Sequence, residues 1–200
     1  MGDPNALGGA FNGTVSYVES FVLPPPLPPL PNGNVNADVD FAVYAPGQFD
    51  LSFGAGADGG NPSHFVYAYQ IHNIASSDDV ILLTVGLDGD ETLGSVGFLS
   101  GADVDPTSSN FSGITSAAWG FQSPTSIANG QSSDILFFTS AQAPEFDNAT
   151  LSSGVNNSLQ QLPSPSSLIP EPATLALFGI GVTVCCLRKR PKQNHRGDVG

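Results

Sequence analysis

The carboxylates are the residues of this sequence best suited to chemistry, and they come in close groups: Asp38 with Asp40, Asp78 with Asp79, Asp88 with Asp90 and Glu91, and Asp103 with Asp105. Ca²⁺ asks for several oxygen ligands on one loop, and glycoside hydrolysis asks for two facing carboxyl groups. Asp88-Gly89-Asp90-Glu91 opens like a helix–loop–helix calcium loop, but Leu93 stands where that loop needs Gly and Leu99 where it needs the closing Glu. The preferred reading is solvated carboxylates at strand ends and in loops, with no metal site. His64 and His72 share one face if both lie in one strand, but they would then be about 26 Å apart at ~3.3 Å per residue, too far for a common metal. Before residue 185 there is no Cys nucleophile, and the chain has no Gly-x-Ser-x-Gly, no Gly-rich phosphate loop with Lys and no His-Glu-x-x-His. No catalytic residue and no cofactor are expected, and the chain is not expected to be an enzyme. The alternative is a carbohydrate-active or carbohydrate-binding body whose groups meet only in three dimensions. Exposed aromatics would favour sugar binding, and Tyr44, Tyr67, Tyr69 and Trp119 are the candidates. An ice-binding surface would call for a regular Thr array, and no such repeat is visible. Four Asn-x-Ser/Thr sequons, at Asn12, Asn110, Asn148 and Asn156, are read as composition.

Charge placement narrows the function further. The five basic residues are Arg188, Lys189, Arg190, Lys192 and Arg196, so residues 1–187 hold no Lys or Arg, yet they hold all but one of the 18 acidic residues. No Lys or Arg salt bridge can form there. Each carboxylate must be solvated, capped by backbone N–H groups or matched by a bound cation. Nucleic acid is excluded as a partner of the body, since nothing there can neutralise phosphates.

The elements that must position these residues read as strands. Val35 to Val43 alternates apolar with mostly polar positions, Phe49, Leu51 and Phe53 alternate next, and Phe65 to Asn73 alternates again. Val80 to Leu87 is apolar almost throughout, which suits a strand buried on both faces. Thr14–Val22, Gly94–Leu99, Ala117–Phe121 and Asp134–Thr139 are further strand candidates, and no helical period is visible before residue 170. Turn-forming clusters punctuate these runs, which predicts an all-β body over residues 1–151: an antiparallel β-sandwich of jelly-roll or immunoglobulin-like kind. Val39, Phe41, Tyr69, Ile71, Leu82, Leu83, Trp119 and Phe137 are expected in its core. Residues 23–31 (LPPPLPPLP) should be extended polyproline forming a stiff loop. Residues 152–168, rich in Ser, Asn, Gln and Pro, are expected to be a flexible stalk.

The C-terminal end has its own grammar. Ala173 to Leu187 is 15 residues without a charge. As a helix it would span about 22 Å, short of a ~30 Å hydrocarbon core. Its flanks favour a membrane helix over a buried core helix: Pro172 suits the first helical turn, and Arg188, Lys189 and Arg190 follow at once and can snorkel. The positive-inside rule then puts residues 191–200 in the cytoplasm and the acidic body outside. Cys185 and Cys186 are read as small residues in lipid rather than as a disulfide or a lipidation site.

Ile169-Pro170-Glu171-Pro172-Ala173-Thr174, the apolar run with Gly179 and Gly181, and the basic stop Arg188-Lys189-Arg190 together resemble the PEP-CTERM sorting signal, over residues 169–190. The motif is also catalogued under a name that refers to ice-binding proteins. The resemblance implies export, an inner-membrane helix before processing, recognition near Pro170-Glu171-Pro172 by an exosortase-type membrane transpeptidase, and exopolysaccharide as a further partner. The implied location is the cell envelope or the extracellular matrix, and the implied role of the body is structural or adhesive. Residues 1–10 (MGDPNALGGA) lack a basic n-region and an apolar h-region, so a secretion leader is expected upstream of Met1.

Overall fold

Alternation builds the sheets. In the second strand, β2 (Asn34–Tyr44), the inward residues Val35, Ala37, Val39, Phe41 and Val43 are all buried, while Asn36, Asp38 and Asp40 between them are half-exposed. The computed structural model describes residues 5–20, 34–76, 78–89, 92–154 and 156–166. Among these residues the strands are β1 (Asn12–Ser20), β2 (Asn34–Tyr44), β3 (Phe65–Asn73), β4 (Val80–Gly86), β5 (Leu93–Leu99), β6 (Ser108–Ser112), β7 (Ser116–Gly120), β8 (Ile135–Ser140), β9 (Pro144–Ser153) and β10 (Asn156–Pro165), with one short α-helix, α1 (Gln48–Phe53), and a 3-10 turn at Gly9–Phe11. The strands form two five-stranded sheets with every neighbouring pair antiparallel. The first sheet has the order β1-β2-β3-β8-β5 and the second β10-β9-β4-β7-β6. The all-β, two-sheet expectation is met.

The main core lies between the sheets. Val39, Tyr69, Ile71, Leu136 and Phe138 of the first sheet pack with Leu83, Val85, Trp119, Leu151 and Leu162 of the second. Burying a large apolar side chain contributes roughly 1.5–3 kcal/mol, so these residues dominate the energetics. Two polar tips inside this core find partners across it, whereas the buried Tyr17 hydroxyl has none among the described residues. The Trp119 indole N–H donates to the Gly97 carbonyl on β5 at 2.8 Å, and the Tyr69 hydroxyl donates to the Pro163 carbonyl on β10. A smaller cluster of Ala42, Tyr44, Phe49, Val66, Ala68 and Phe137 covers part of the first sheet's outer face.

Several expectations need correction. Residues 48–53 are helical, not extended. The alternation of Phe49, Leu51 and Phe53 also contains an i, i+4 pair, Phe49 and Phe53, whose rings meet on one helix face, tilted at 47° with centroids 4.6 Å apart, while Leu51 stays exposed. β4 is buried on one face only. Ile81 is exposed and Leu82 half-buried, because no described residue covers the outer face of the second sheet there. Asp38 and Asp40 lie in the middle of β2 rather than at a strand end or in a loop.

The stalk expected over 152–168 is, as far as Ser166, part of the body. β9 runs on to Ser153 and β10 pairs with it from Asn156↔Ser153 to Pro165↔Pro144. β10 is the edge of its sheet, where a proline without an N–H is tolerated. Its buried positions are filled largely by Ser158, Pro163, Ser164 and Pro165 beside one leucine, Leu162, so hydrophobic periodicity could not reveal it. Residues 23–31, 169–190 and 191–200 lie outside the described residues. Among the described residues no helix is long and apolar enough to cross a membrane.

Candidate functional site

The outer face of the first sheet gathers most of the polar chemistry. Strand register sets it. Ser16 on β1 stands opposite Asp38 on β2, Asp38 opposite His72 on β3, and His72 bridges to Ser132 just before β8. One step along, Thr14 stands opposite Asp40 and Asp40 opposite Gln70. Because side chains alternate across a strand, all of these point away from the core that holds Tyr17, Val39 and Ile71.

These side chains hold one another. Thr14 Oγ1 donates to Asp40 Oδ1 at 2.5 Å and Ser16 Oγ donates to Asp38 Oδ1 at 2.7 Å. His72 lies between Ser132 Oγ, 2.8 Å from its Nδ1, and Asp40 Oδ2, 3.3 Å from its Nε2. Partial burial alone would raise the Asp40 pKa, but the Thr14 hydrogen bond and the neighbouring His72 outweigh it and hold the carboxyl below its ordinary value. Gln70 Nε2 donates to Asp103 Oδ2 at 3.3 Å and to the Ser133 carbonyl at 3.1 Å.

A groove of about 510 Å³ opens beside Gln70. Phe53, Phe98, Leu99 and Ile135 supply its apolar side, and Gln70, Asp103 and Asp134 its polar side. Asp134 is buried, and with no Lys or Arg in the body its charge is met by backbone: it accepts N–H from Gly101 at 2.5 Å and from Asp103 at 3.1 Å. Asp105 reaches the same carboxyl. Its hydrogen bond with Asp134 raises its pKa, helped by the like charge of Asp134.

The other sequence candidates stay apart. Asp79 accepts from Ser126 Oγ, Asp88 sits in the turn after β4, and Asp90 and Glu91 lie outside the described residues. His64 precedes β3 rather than lying in it, and its buried Nδ1 has no partner. Among the described residues no three His, Cys, Asp or Glu side chains converge as a metal site would require. Tyr44, Tyr67, Tyr69 and Trp119 are all fully buried and offer no platform to a sugar, whereas Phe53 is 37 % exposed. Sequence reasoning missed Gln70, Ser132 and Asp134 as site residues. Only the β2–β3–β8 register brings them together, although Asp134 directly before the apolar run Ile135–Phe138 was a visible charge at a strand start.

Residues 169–190 carry a second site written in order: Ile169-Pro170-Glu171-Pro172, an uncharged apolar run, and Arg188-Lys189-Arg190. Residues 168–190 match the model of the PEP-CTERM protein-sorting motif. No curated protein and no solved structure was found to match the chain. The PEP-CTERM match contains every residue expected to act in sorting: Pro170, Glu171, Pro172, Ala173, Thr174, Arg188, Lys189 and Arg190. It starts at Leu168, directly after the unit that ends at Ser167. A PEP-CTERM signal implies a secreted, envelope-associated protein that an exosortase recognises.

Proposed function

We propose that this chain is an exported, surface-sorted structural or adhesive protein of the bacterial envelope or exopolysaccharide matrix, retained and processed through its PEP-CTERM signal. The match at residues 168–190 carries this reading. In it, an exosortase-type transpeptidase recognises Pro170, Glu171 and Pro172, followed by Ala173 and Thr174. Residues 173–187 form the inner-membrane helix before processing, and Arg188, Lys189 and Arg190 hold its end in the cytoplasm. The acidic body stands outside, where its negative charge keeps it soluble. Its two antiparallel sheets support a sandwich of jelly-roll or immunoglobulin-like kind.

The body acts without catalysis in this reading. Ser132, His72 and Asp40 form a hydrogen-bonded chain of the residue types used by hydrolases. Acyl transfer also needs backbone N–H groups free to hold an oxyanion. Here the N–H groups of Ser133, Asp134 and Val104 are committed to the carbonyls of Ile71, Val104 and Ser132. The chain of contacts is a brace for the sheet face.

A second reading is that the body binds carbohydrate. The groove beside Gln70 favours it, because it sets the half-exposed Phe53 ring against an amide and carboxylates. Sugars present an apolar ring face and a polar rim, and such sites combine both.

The test is surface display. The chain is expressed behind a secretion leader in a host with an exosortase, and an antibody to the body is applied to intact and lysed cells. Binding to intact cells is expected. Binding only after lysis would overturn the proposal.

A further inference from the structure

We propose that the outer face of the first sheet binds a cationic glycan, an oligosaccharide whose sugars carry protonated amines. This deepens the carbohydrate-binding reading and rests on it. Four observations converge.

The first is the track itself. Two rows cross the strands, Ser16–Asp38–His72–Ser132 and Thr14–Asp40–Gln70. From β1 to β8 there are three gaps of about 4.8 Å, so the track is about 14 Å long. It runs past Gln70 into the groove beside Asp103. An elongated ligand lying across the strands matches that shape.

The second is pre-organisation. Thr14, Ser16, His72 and Gln70 each bond a neighbouring acid or hydroxyl of the track. They are half-exposed or exposed, and they present hydroxyl, amide and carboxylate groups already held in place. Groups ordered before binding lose less entropy when the ligand arrives.

The third is charge. Asp38, Asp40, Asp103, Asp105 and Asp134 lie along the track and groove, and residues 1–187 contain no Lys or Arg. An anionic polymer is repelled from this face, whereas protonated amines meet complementary potential.

The fourth separates a glycan from a basic peptide. Extended peptides bind sheets chiefly through the main-chain hydrogen bonds of a free strand edge. β2 and β3 under this face are paired on both sides. Over β2 and β3 the face therefore offers only side chains, and the groove adds the exposed Phe53 ring, on which a pyranose can stack. That combination suits a sugar better than a peptide.

The experiment is calorimetric titration of the full chain in mild detergent at about pH 5.5, below the ordinary pKa range of amines, so that the glucosamine amines are protonated. The probes are a glucosamine tetramer, its fully N-acetylated counterpart, a galacturonate tetramer and tetralysine. The glucosamine tetramer is expected to bind about tenfold or more tighter than the acetylated one, and to weaken strongly when salt is raised. Asp103→Asn and Phe53→Ala should each weaken it several-fold, and Glu145→Gln on β9 of the other sheet should not. Circular dichroism confirms that each variant is folded. Equal binding of the acetylated tetramer would overturn the cationic preference and leave the carbohydrate reading standing. Failure of every sugar to bind would remove both. Tetralysine binding as tightly as the glucosamine tetramer, or indifference to Asp103→Asn and Phe53→Ala alike, would overturn the proposal.

Discussion

The Tyr69 hydroxyl, on β3 in the middle of the first sheet, donates its hydrogen to the carbonyl of Pro163, on the edge strand β10 of the second. This bond crosses the core, and Tyr69 is fully buried beside Trp119 with ring centroids 5.8 Å apart. Ser164 adds a bond from its Oγ to the Gly86 carbonyl at 2.6 Å, and Leu162 is buried in the same core. A Ser- and Pro-rich segment thus closes one side of the sandwich.

Ending the chain before this segment should therefore damage the fold. A chain of residues 1–151 is expected to melt well below one of residues 1–167, or to aggregate, since it loses β10 and uncovers Tyr69. Tyr69→Phe within 1–167 should cost about 1–2 kcal/mol by leaving the Pro163 carbonyl unpaired. Differential scanning calorimetry of the three chains decides it, and equal melting of the 1–151 and 1–167 chains would restore the stalk reading.

Gly59 is held by two constraints. Its φ is +70°, where side chains are disfavoured, and an added Cβ would lie 2.7 Å from Ser95 Cβ. The loop around it docks on β5 through Asn61 Nδ2, which donates to Ser95 Oγ at 2.8 Å. Gly59→Ala is expected to destabilise by about 1–3 kcal/mol. Chemical denaturation measures this, and an unchanged midpoint would show that the loop gives way freely.

Stability should pass through a maximum on the acid side of neutral. Asp105 has a raised pKa, so as pH falls the folded chain takes up that proton before the unfolded chain does, and stability rises. Asp40 has a lowered pKa, so its stabilisation is complete above the ordinary value of 3.8 and is lost as pH falls through its folded value. Melting temperature against pH should therefore rise from neutral toward the carboxylate range and then fall. Asp105→Asn should flatten the rise and Asp40→Asn the fall. A monotonic curve in the parent chain would contradict both assignments.

Salt should stabilise the body. With no Lys or Arg before Arg188, its many carboxylates repel one another. The Debye length falls from ~30 Å at 0.01 M to ~8 Å at 0.15 M salt. The 1–167 chain is expected to melt a few degrees higher at the upper concentration. CaCl₂ at matched ionic strength should add no saturable shift, because among the described residues no three acidic groups converge. A flat response to NaCl, or a saturable calcium step, would refute these two statements respectively.

The sequence was most legible where one face of a strand carries only apolar side chains. Val35–Val43 and Phe65–Asn73 announce their strands through alternation, and β2 and β3 lie there. It was least legible where polar residues fill buried positions, as Ser158 and Ser164 do on β10, or where strands are short and polar, as in β6. In α1 a single turn and a half carries both a two-residue and a four-residue spacing of apolar side chains, so period alone could not choose. The site divides along the same line. Asp38, Asp40 and His72 were visible as titratable residues, but their meeting with Ser132, Gln70 and Asp134 is a consequence of register across three strands. The sorting signal was the reverse case. It is recognised as a linear string, so residue order alone was sufficient to find Pro170-Glu171-Pro172 and the basic stop.

The central claim is that this chain is sorted to the surface and processed at its PEP-CTERM signal, and intact mass measures that directly. The chain and its Glu171→Ala variant are each expressed behind a secretion leader in a host with an exosortase, then recovered from the envelope and the medium. The account predicts that the parent chain loses the apolar run and the basic residues that follow Pro170-Glu171-Pro172 in the matched segment, while the variant keeps them and stays in the membrane. Parent and variant chains both recovered at full, unprocessed mass would contradict it.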